Sequence, residues 1–245
     1  KTKTVGMVLA VVGTVTFSSN VMADYTAGSG TVNGTNGLAI GAGSGNGATI
    51  DKGSNQSVAL GANTKVTGDQ SIAIGNDVTA VGNSSIAIGG DDLDRVANGT
   101  AGKAATGTTN AAFNKTTEAK QFYDLTGQYL VNVEGNKQYI GTKSGAASVS
   151  VGVMSSATGA LSLAFGTRSE ANVNSATALG TGATANKAGA IALGAGSVTD
   201  IDAEKVEQAS VNGVNFVGFI GSNAFSGIAS DAGRQVSVGA IGNER

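Results

Sequence analysis

The sequence predicts an all-β fold, a parallel roll of short coils stacked along one axis, and three observations carry that reading. Glycine recurs every fourteen residues, at Gly61, Gly75 and Gly89 and again at Gly152, Gly166, Gly180 and Gly194. The residues before each glycine repeat too: Ser57-Val58-Ala59-Leu60, Ser71-Ile72-Ala73-Ile74, Ser85-Ile86-Ala87-Ile88, Ser148-Val149-Ser150-Val151, Ser162-Leu163-Ala164-Phe165, Ala176-Thr177-Ala178-Leu179 and Ala190-Ile191-Ala192-Leu193. Composition agrees, with 39 glycines, no proline, 4% aromatic and 13% charged residues in a chain of 245. Self-similarity at a fixed period decides how segments stack, so it outranks any single motif.

Each five-residue core alternates bulky aliphatics with Ser, Ala and Gly, a period of two that reads as a short strand. Half a period before several core glycines stands another glycine, Gly68, Gly82, Gly145 or Gly159. Each unit is therefore two seven-residue legs with a turn at either end, one coil of a flattened solenoid. Two buried aliphatic side chains contribute roughly 1.5–3 kcal/mol each, while ordering costs about 1.5 kcal/mol per residue. No coil stands alone, and rungs stacked at about 4.8 Å are expected to share an aliphatic column. This reading points the aliphatics into a dry lumen and gives the small Ser/Ala/Gly face to a neighbouring subunit; the alternative leaves that face to solvent, kept small to resist sticking.

Along the chain, residues 1–23 read as the C-terminal part of a secretory signal. Lys1 and Lys3 precede the apolar run from Val5 to Phe17, and Val21-Met22-Ala23 offers a cleavage site. The apolar run is shorter than the ~20 residues of a membrane span. Without an initiator Met the chain is expected to be trimmed. Residues 24–89 form the first set of repeats, and Gly41 to Gly47 is a turn or inserted loop between rungs. It has neither a following helix pattern nor a Gly-Lys-Ser/Thr phosphate loop.

Residues 90–144 break the period and hold 12 of the 32 charged residues and three of the four tyrosines, so this insertion should protrude from the rod. Thr116 to Leu125 predicts a short helix, capped by Asn114 or Thr116 and followed by Gly127. Tyr123, Tyr129 and Tyr139, beside Lys115, Lys120 and Lys137, are an adhesive-surface candidate; the competing reading packs the tyrosines into a satellite core. Repeats resume over 145–199. In 200–245, Val211 to Phe216 suggests a strand or hairpin, and Gln235-Val236-Ser237-Val238-Gly239 restores one repeat-like core.

Composition excludes several classes of function. No cysteine means no disulfide or thiolate chemistry. No histidine removes the usual general base and the commonest metal ligand. A net charge of −2 leaves no footprint for nucleic acid. A calcium-loaded roll needs repeated Gly-Gly-x-Gly-x-Asp, which Gly89-Gly90-Asp91-Asp92 approaches once, and Asp200-Ile201-Asp202-Ala203-Glu204 reads as a solvated face. A left-handed β-helix acyltransferase would need hexapeptide turns and a catalytic His. A carboxylate-only hydrolase has no marked pair of acids. An ice-binding rod would show ranked Thr-x-Thr. The chain is expected to be no enzyme and to need no cofactor and no metal.

The repeats, together with Asp231-Ala232-Gly233-Arg234-Gln235-Val236-Ser237-Val238-Gly239-Ala240-Ile241-Gly242-Asn243-Glu244-Arg245, resemble the head and neck of YadA-like trimeric autotransporter adhesins. Asp91-Asp92-Leu93-Asp94 and Asp124-Leu125-Thr126-Gly127 resemble an insertion that recurs in such heads. The resemblance implies a left-handed parallel β-roll, a homotrimer, and a neck leading to a coiled-coil stalk and an outer-membrane barrel that lie downstream of this chain. It gives Arg234, Glu244 and Arg245 a trimer-locking role in the neck. Asn83-Ser84-Ser85-Ile86-Ala87-Ile88-Gly89 and Gln70-Ser71-Ile72-Ala73-Ile74-Gly75 approximate a pattern of collagen-binding members, and the roll itself requires the same residues. The implied function is a bacterial surface adhesin, exported through its signal and held at the outer membrane by the barrel. It would bind a host matrix protein, a host-cell receptor or other bacteria by many weak contacts. The alternative is a structural spacer without a receptor site.

Overall fold

The computed structural model describes residues 24–42, 46–200, 208–212, 214–217 and 235–239. The expected signal, the neck residues Arg234, Glu244 and Arg245, and residues 201–204 of the acidic run lie outside the described residues.

The core pentapeptides form one ten-stranded sheet in which neighbouring strands are parallel. It runs from Tyr25–Ala27 and Leu38–Ile40 through Val58–Leu60, Ile72–Gly75 and Ile86–Gly90. It continues with Val149–Val153, Leu163–Phe165, Thr177–Leu179 and Ile191–Leu193, and ends at Val236–Ser237. Equivalent residues of successive coils face each other, Ala59 opposite Ala73 and Ala73 opposite Ala87. The opposite legs build a second parallel ladder from Thr31–Val32 to Ser156–Ala157, prolonged by single bridges at Glu170 to the pair Thr184–Ala185 and Val198–Thr199. Gln208–Val211 and Val214–Val217 form the expected hairpin.

The fourteen-residue glycine is fixed by close approach between coils. Gly75 has φ +134°, and a β-carbon there would stand 1.9 Å from the Gly89 carbonyl oxygen. Only glycine satisfies both conditions. Two further corners of each coil take left-handed backbone without needing glycine, one of them along the row Asn63, Asp77, Met154, Arg168, Gly182 and Gly196.

The interior reverses the expected facing. Ala59, Ala73, Ala87, Ser150, Ala164, Ala178 and Ala192 are fully buried between the two sheets, while the flanking aliphatics are half-buried or exposed on the outside. Flattened coils of seven-residue legs leave the lumen room for Ala and Ser on this sheet and for Ile50, Val66, Ala80, Ser144 and Ala157 on the other. Larger residues placed there would overpack it. A buried serine column lines one corner: Ser57 Oγ accepts from the Ser71 amide and Ser71 Oγ from the Ser85 amide, each at 3.1 Å. The hydroxyls of this column are thereby satisfied.

The insertion leaves after Gly90 and rejoins at Lys143–Ser144, the next strand of the second ladder. It carries α1 (Asp94–Asn98), α2 (Asn110–Phe113), α3 (Thr117–Thr126) and one 3₁₀ turn, Glu134–Asn136. Thr116 caps α3 by accepting from the Ala119 amide at 3.2 Å, and Gly127, φ +68°, ends it. Asn114 instead clamps Val131, accepting its amide at 2.9 Å and donating to its carbonyl at 2.7 Å. A satellite core does form, and its aromatics are Phe113 and Phe122, packed with Leu93, Ala97, Leu130, Val131 and Met154. Tyr123 and Tyr139 stay exposed and Tyr129 is half-buried.

Candidate functional site

Two surfaces invite a partner. The first is the outer face of the ten-stranded sheet. Ile40, Leu60, Ile74 and Ile88 form an unbroken column that continues in Val151, Phe165, Leu179 and Leu193. A second column runs beside it from Leu38 through Ile72 and Leu163 to Ile191. Phe165 is 51% exposed, Leu193 41% and Ile40 38%. A contiguous apolar stripe of this length is the mark of an interaction surface.

The second surface is the insertion, held against the corner row of the roll. A β-carbon on Gly182 would stand 2.6 Å from Thr126 Cγ2 and 3.2 Å from the Phe122 ring, and one on Gly196 would stand 2.2 Å from the Leu125 carbonyl oxygen. Thus α3 lies along consecutive corners. One coil earlier, the Arg168 guanidinium donates to the carbonyls of Tyr129 and Leu130 at 2.7 and 3.0 Å and lies 5.8 Å from the Phe122 ring centre. Burial lowers the Arg168 pKa, and Glu170 nearby opposes that shift. Two carbonyl acceptors and a ring face compensate the desolvated cation.

At the insertion's base, the fully buried Asp94 takes three bonds. Gln138 Nε2 donates to Oδ1 at 2.8 Å; the Tyr139 hydroxyl and the Gly102 amide donate to Oδ2 at 2.7 and 3.2 Å. Burial of the Tyr139 hydroxyl, with Asp94 accepting its proton-bearing bond, pushes that phenol well above its usual range. Asp91 is pushed up to about 6 by burial first and then by the nearby Asp77, Asp92 and Asp94. Among the described residues no three acidic side chains converge as a metal site.

The residues proposed for adhesion from the sequence are not gathered into one patch. Tyr123 and Tyr129 meet, ring centres 4.9 Å apart and tilted by 37°, with Lys120 exposed on the same helix. Tyr139 is spent on Asp94. Lys115 and Lys137 are exposed. Sequence reasoning missed the aliphatic face, although the repeats carried its signal. The middle position of the pentapeptide is always Ala or Ser, while the flanking ones range from Thr to Phe. Only an enclosed site restricts volume so strictly.

The profile of the YadA head domain repeat matches residues 54–77, 144–172 and 174–197. These residues are part of the stacked coils just described. Over them the coils match the YadA head repeat. A crystal structure of the collagen-binding domain of the Yersinia adhesin YadA is similar at 19% identity and a TM-score of 0.41, over 79% of this chain and 82% of that one. Comparison with curated proteins gave no match. The YadA head match passes over residues 78–143, which hold the insertion.

Proposed function

We propose that this chain is the head of a bacterial cell-surface adhesin, acting by multivalent, non-catalytic attachment to host matrix proteins, host cells or other bacteria. One observation carries the reading: coils that match the YadA head repeat over residues 54–77, 144–172 and 174–197 stack in one parallel ladder whose outer face carries two columns of mostly apolar side chains, half-buried to exposed. That face is where copies associate, and a homotrimer is the assembly the repeats favour. Three rods side by side multiply each weak contact through effective concentration. Export through the N-terminal signal and anchoring by a downstream barrel place the head at the outer-membrane surface. The insertion, with Tyr123 and Lys120 exposed and Tyr129 half-buried, supplies the part of the surface that departs from the repeat.

The test fuses the chain to a trimeric coiled coil and measures attachment to immobilised matrix proteins including collagen, to epithelial cells and to other bacteria. Attachment to at least one, lost on removal of residues 91–142, supports an insertion-borne site. Attachment retained after that removal places it on the roll. No attachment in any format leaves the spacer reading.

A further inference from the structure

Five Asn-x-Ser/Thr triplets stand in the sequence, at Asn33, Asn55, Asn83, Asn98 and Asn114, the acceptor pattern for N-linked glycosylation of surface chains. The fold separates them sharply. Ser57 and Ser85, the hydroxyl residues of the second and third triplets, are 1% and 0% exposed in the serine column. Asn114 is buried, and its amide donates to the carbonyls of Asn110 and Val131. Asn33 and Thr35 are exposed, and there the restraint is a bond: Thr35 gives its hydroxyl to Asn55 Oδ1 at 2.8 Å.

Asn98 differs in that its triplet is closed on itself and its hydroxyl residue is exposed. Its Nδ2 donates to Thr100 Oγ1 at 3.0 Å, so the two groups that define the triplet already face each other. Gly99 between them is left-handed at φ +80°, and a β-carbon built there would meet nothing within 4 Å. The site stands at the end of α1, Asn98 half-buried and Gly99 and Thr100 exposed, and it opens a run of mostly exposed residues reaching Gly107. Beside it lies an open cleft of about 240 Å³ lined by Asn98, Thr100, Gly102, Lys103 and Thr108, room for a first sugar ring.

We infer that Asn98 is a glycan acceptor, taking a hexose from a nucleotide-activated sugar through a transferase that reads the Asn-x-Thr triplet. Amide nitrogen is a poor nucleophile because its lone pair is delocalised into the carbonyl. A preset turn therefore matters: Thr100 holds one amide N–H of Asn98, and both residues line the cleft. The amide nitrogen bonds to the anomeric carbon as that carbon's bond to the diphosphate breaks. The nucleoside diphosphate leaves with the electron pair, and the nitrogen gives one proton to the transferase's base.

The experiment incubates the purified, folded chain with a sequon-specific N-glycosyltransferase and its nucleotide-activated hexose, then reads intact mass and a peptide map. One hexose on the peptide holding Asn98 is expected, abolished by Asn98→Gln and by Thr100→Ala and retained in Thr100→Ser. Heat-unfolded chain should gain hexose at Asn55, Asn83 and Asn114 as well, since burial of Ser57, Ser85 and Asn114 protects those triplets, and at Asn33 once Thr35 is released from Asn55. A folded chain with no hexose at Asn98, with equal occupancy at Asn33, Asn55 or Asn83, or with occupancy that survives Thr100→Ala overturns the inference. Unchanged circular dichroism of each variant rules out misfolding as the cause of a loss.

Discussion

Thr142 closes the insertion onto Gly90 across fifty-two residues of chain: its Oγ1 accepts from the Gly90 amide at 3.2 Å and lies 3.0 Å from the Gly90 carbonyl. The same oxygen is 2.7 Å from the Gly152 carbonyl of the next coil. The lobe thus departs and returns at one rung, and the ladder passes it as though it were a single turn, with Ile86 opposite Val149 and Thr79 opposite Lys143. Loop-closure entropy grows only slowly with length, so a long excursion is tolerated once its ends are pinned.

Thr142→Val keeps the shape and deletes the pin. Thr142 is fully buried, so the Gly90 amide loses its acceptor inside the fold. A loss of about 1–3 kcal/mol is expected in denaturant unfolding, and Thr142→Ser should recover most of it. Faster amide exchange confined to the insertion would place the effect at this rung.

Gly182→Ala tests how the lobe is docked. The new methyl would meet Thr126 and Phe122 at a residue with φ +67°, so strain and overpacking add, at about 1–3 kcal/mol for the overpacking. The α3 helix should lift from the corner row while the ladder persists. Limited proteolysis is expected to cut the insertion much faster and to leave the coils resistant. A protease pattern identical to the unaltered chain would mean that α3 is held by Arg168 and not by the glycine row.

Much of this was legible in the residues, and the parts that were not share a cause. Period, strand alternation, the capped helix at Thr116 and the hairpin after Val211 are local, so spacing alone announced them. Facing is not local. An alternating strand reads the same whichever side is inward, and the usual rule sends bulk to the core. That rule fails where coils are too flat to admit bulk, and the uniform Ala59, Ala73 and Ala87 was the sequence's own statement of the limit. The Asp94–Gln138–Tyr139 network joins residues forty-four and forty-five positions apart, and no spacing motif could have announced it.

Acidity offers a third test, at Asp91. Its carboxyl is raised from 3.8 to about 6, so between those values the folded chain binds more protons than the unfolded one. Stability from this site is then fully present below the unfolded value and is lost as pH rises through about 6. Thermal midpoints should rise on acidification from pH 7 to pH 5. Asp91→Asn should be more stable than the unaltered chain at pH 7 and flatter across that window. Because other carboxylates titrate too, the difference between the two profiles is the reading, and parallel profiles would remove Asp91 from the account.

The reversed facing makes the strongest demand on the molecule. If Ala164 lines the lumen and Phe165 the outside, neighbours in sequence must respond in opposite ways to enlargement and to charge. Ala164→Leu has no free volume to enter, since Ala164 is fully buried between sheets, and overpacking of about 1–3 kcal/mol or more should broaden or abolish the cooperative melt. Phe165→Asp should leave a folded chain with unchanged circular dichroism, because that side chain is half exposed already. What it should lose is association: a carboxylate in the middle of the aliphatic column is desolvated wherever copies meet there. Sedimentation of the chain without an added coiled coil would then show Phe165→Asp shifted toward monomer relative to the unaltered chain. The reverse pattern, a tolerated Ala164→Leu and an unfolded Phe165→Asp, would return the aliphatics to the lumen and the small face to the partner.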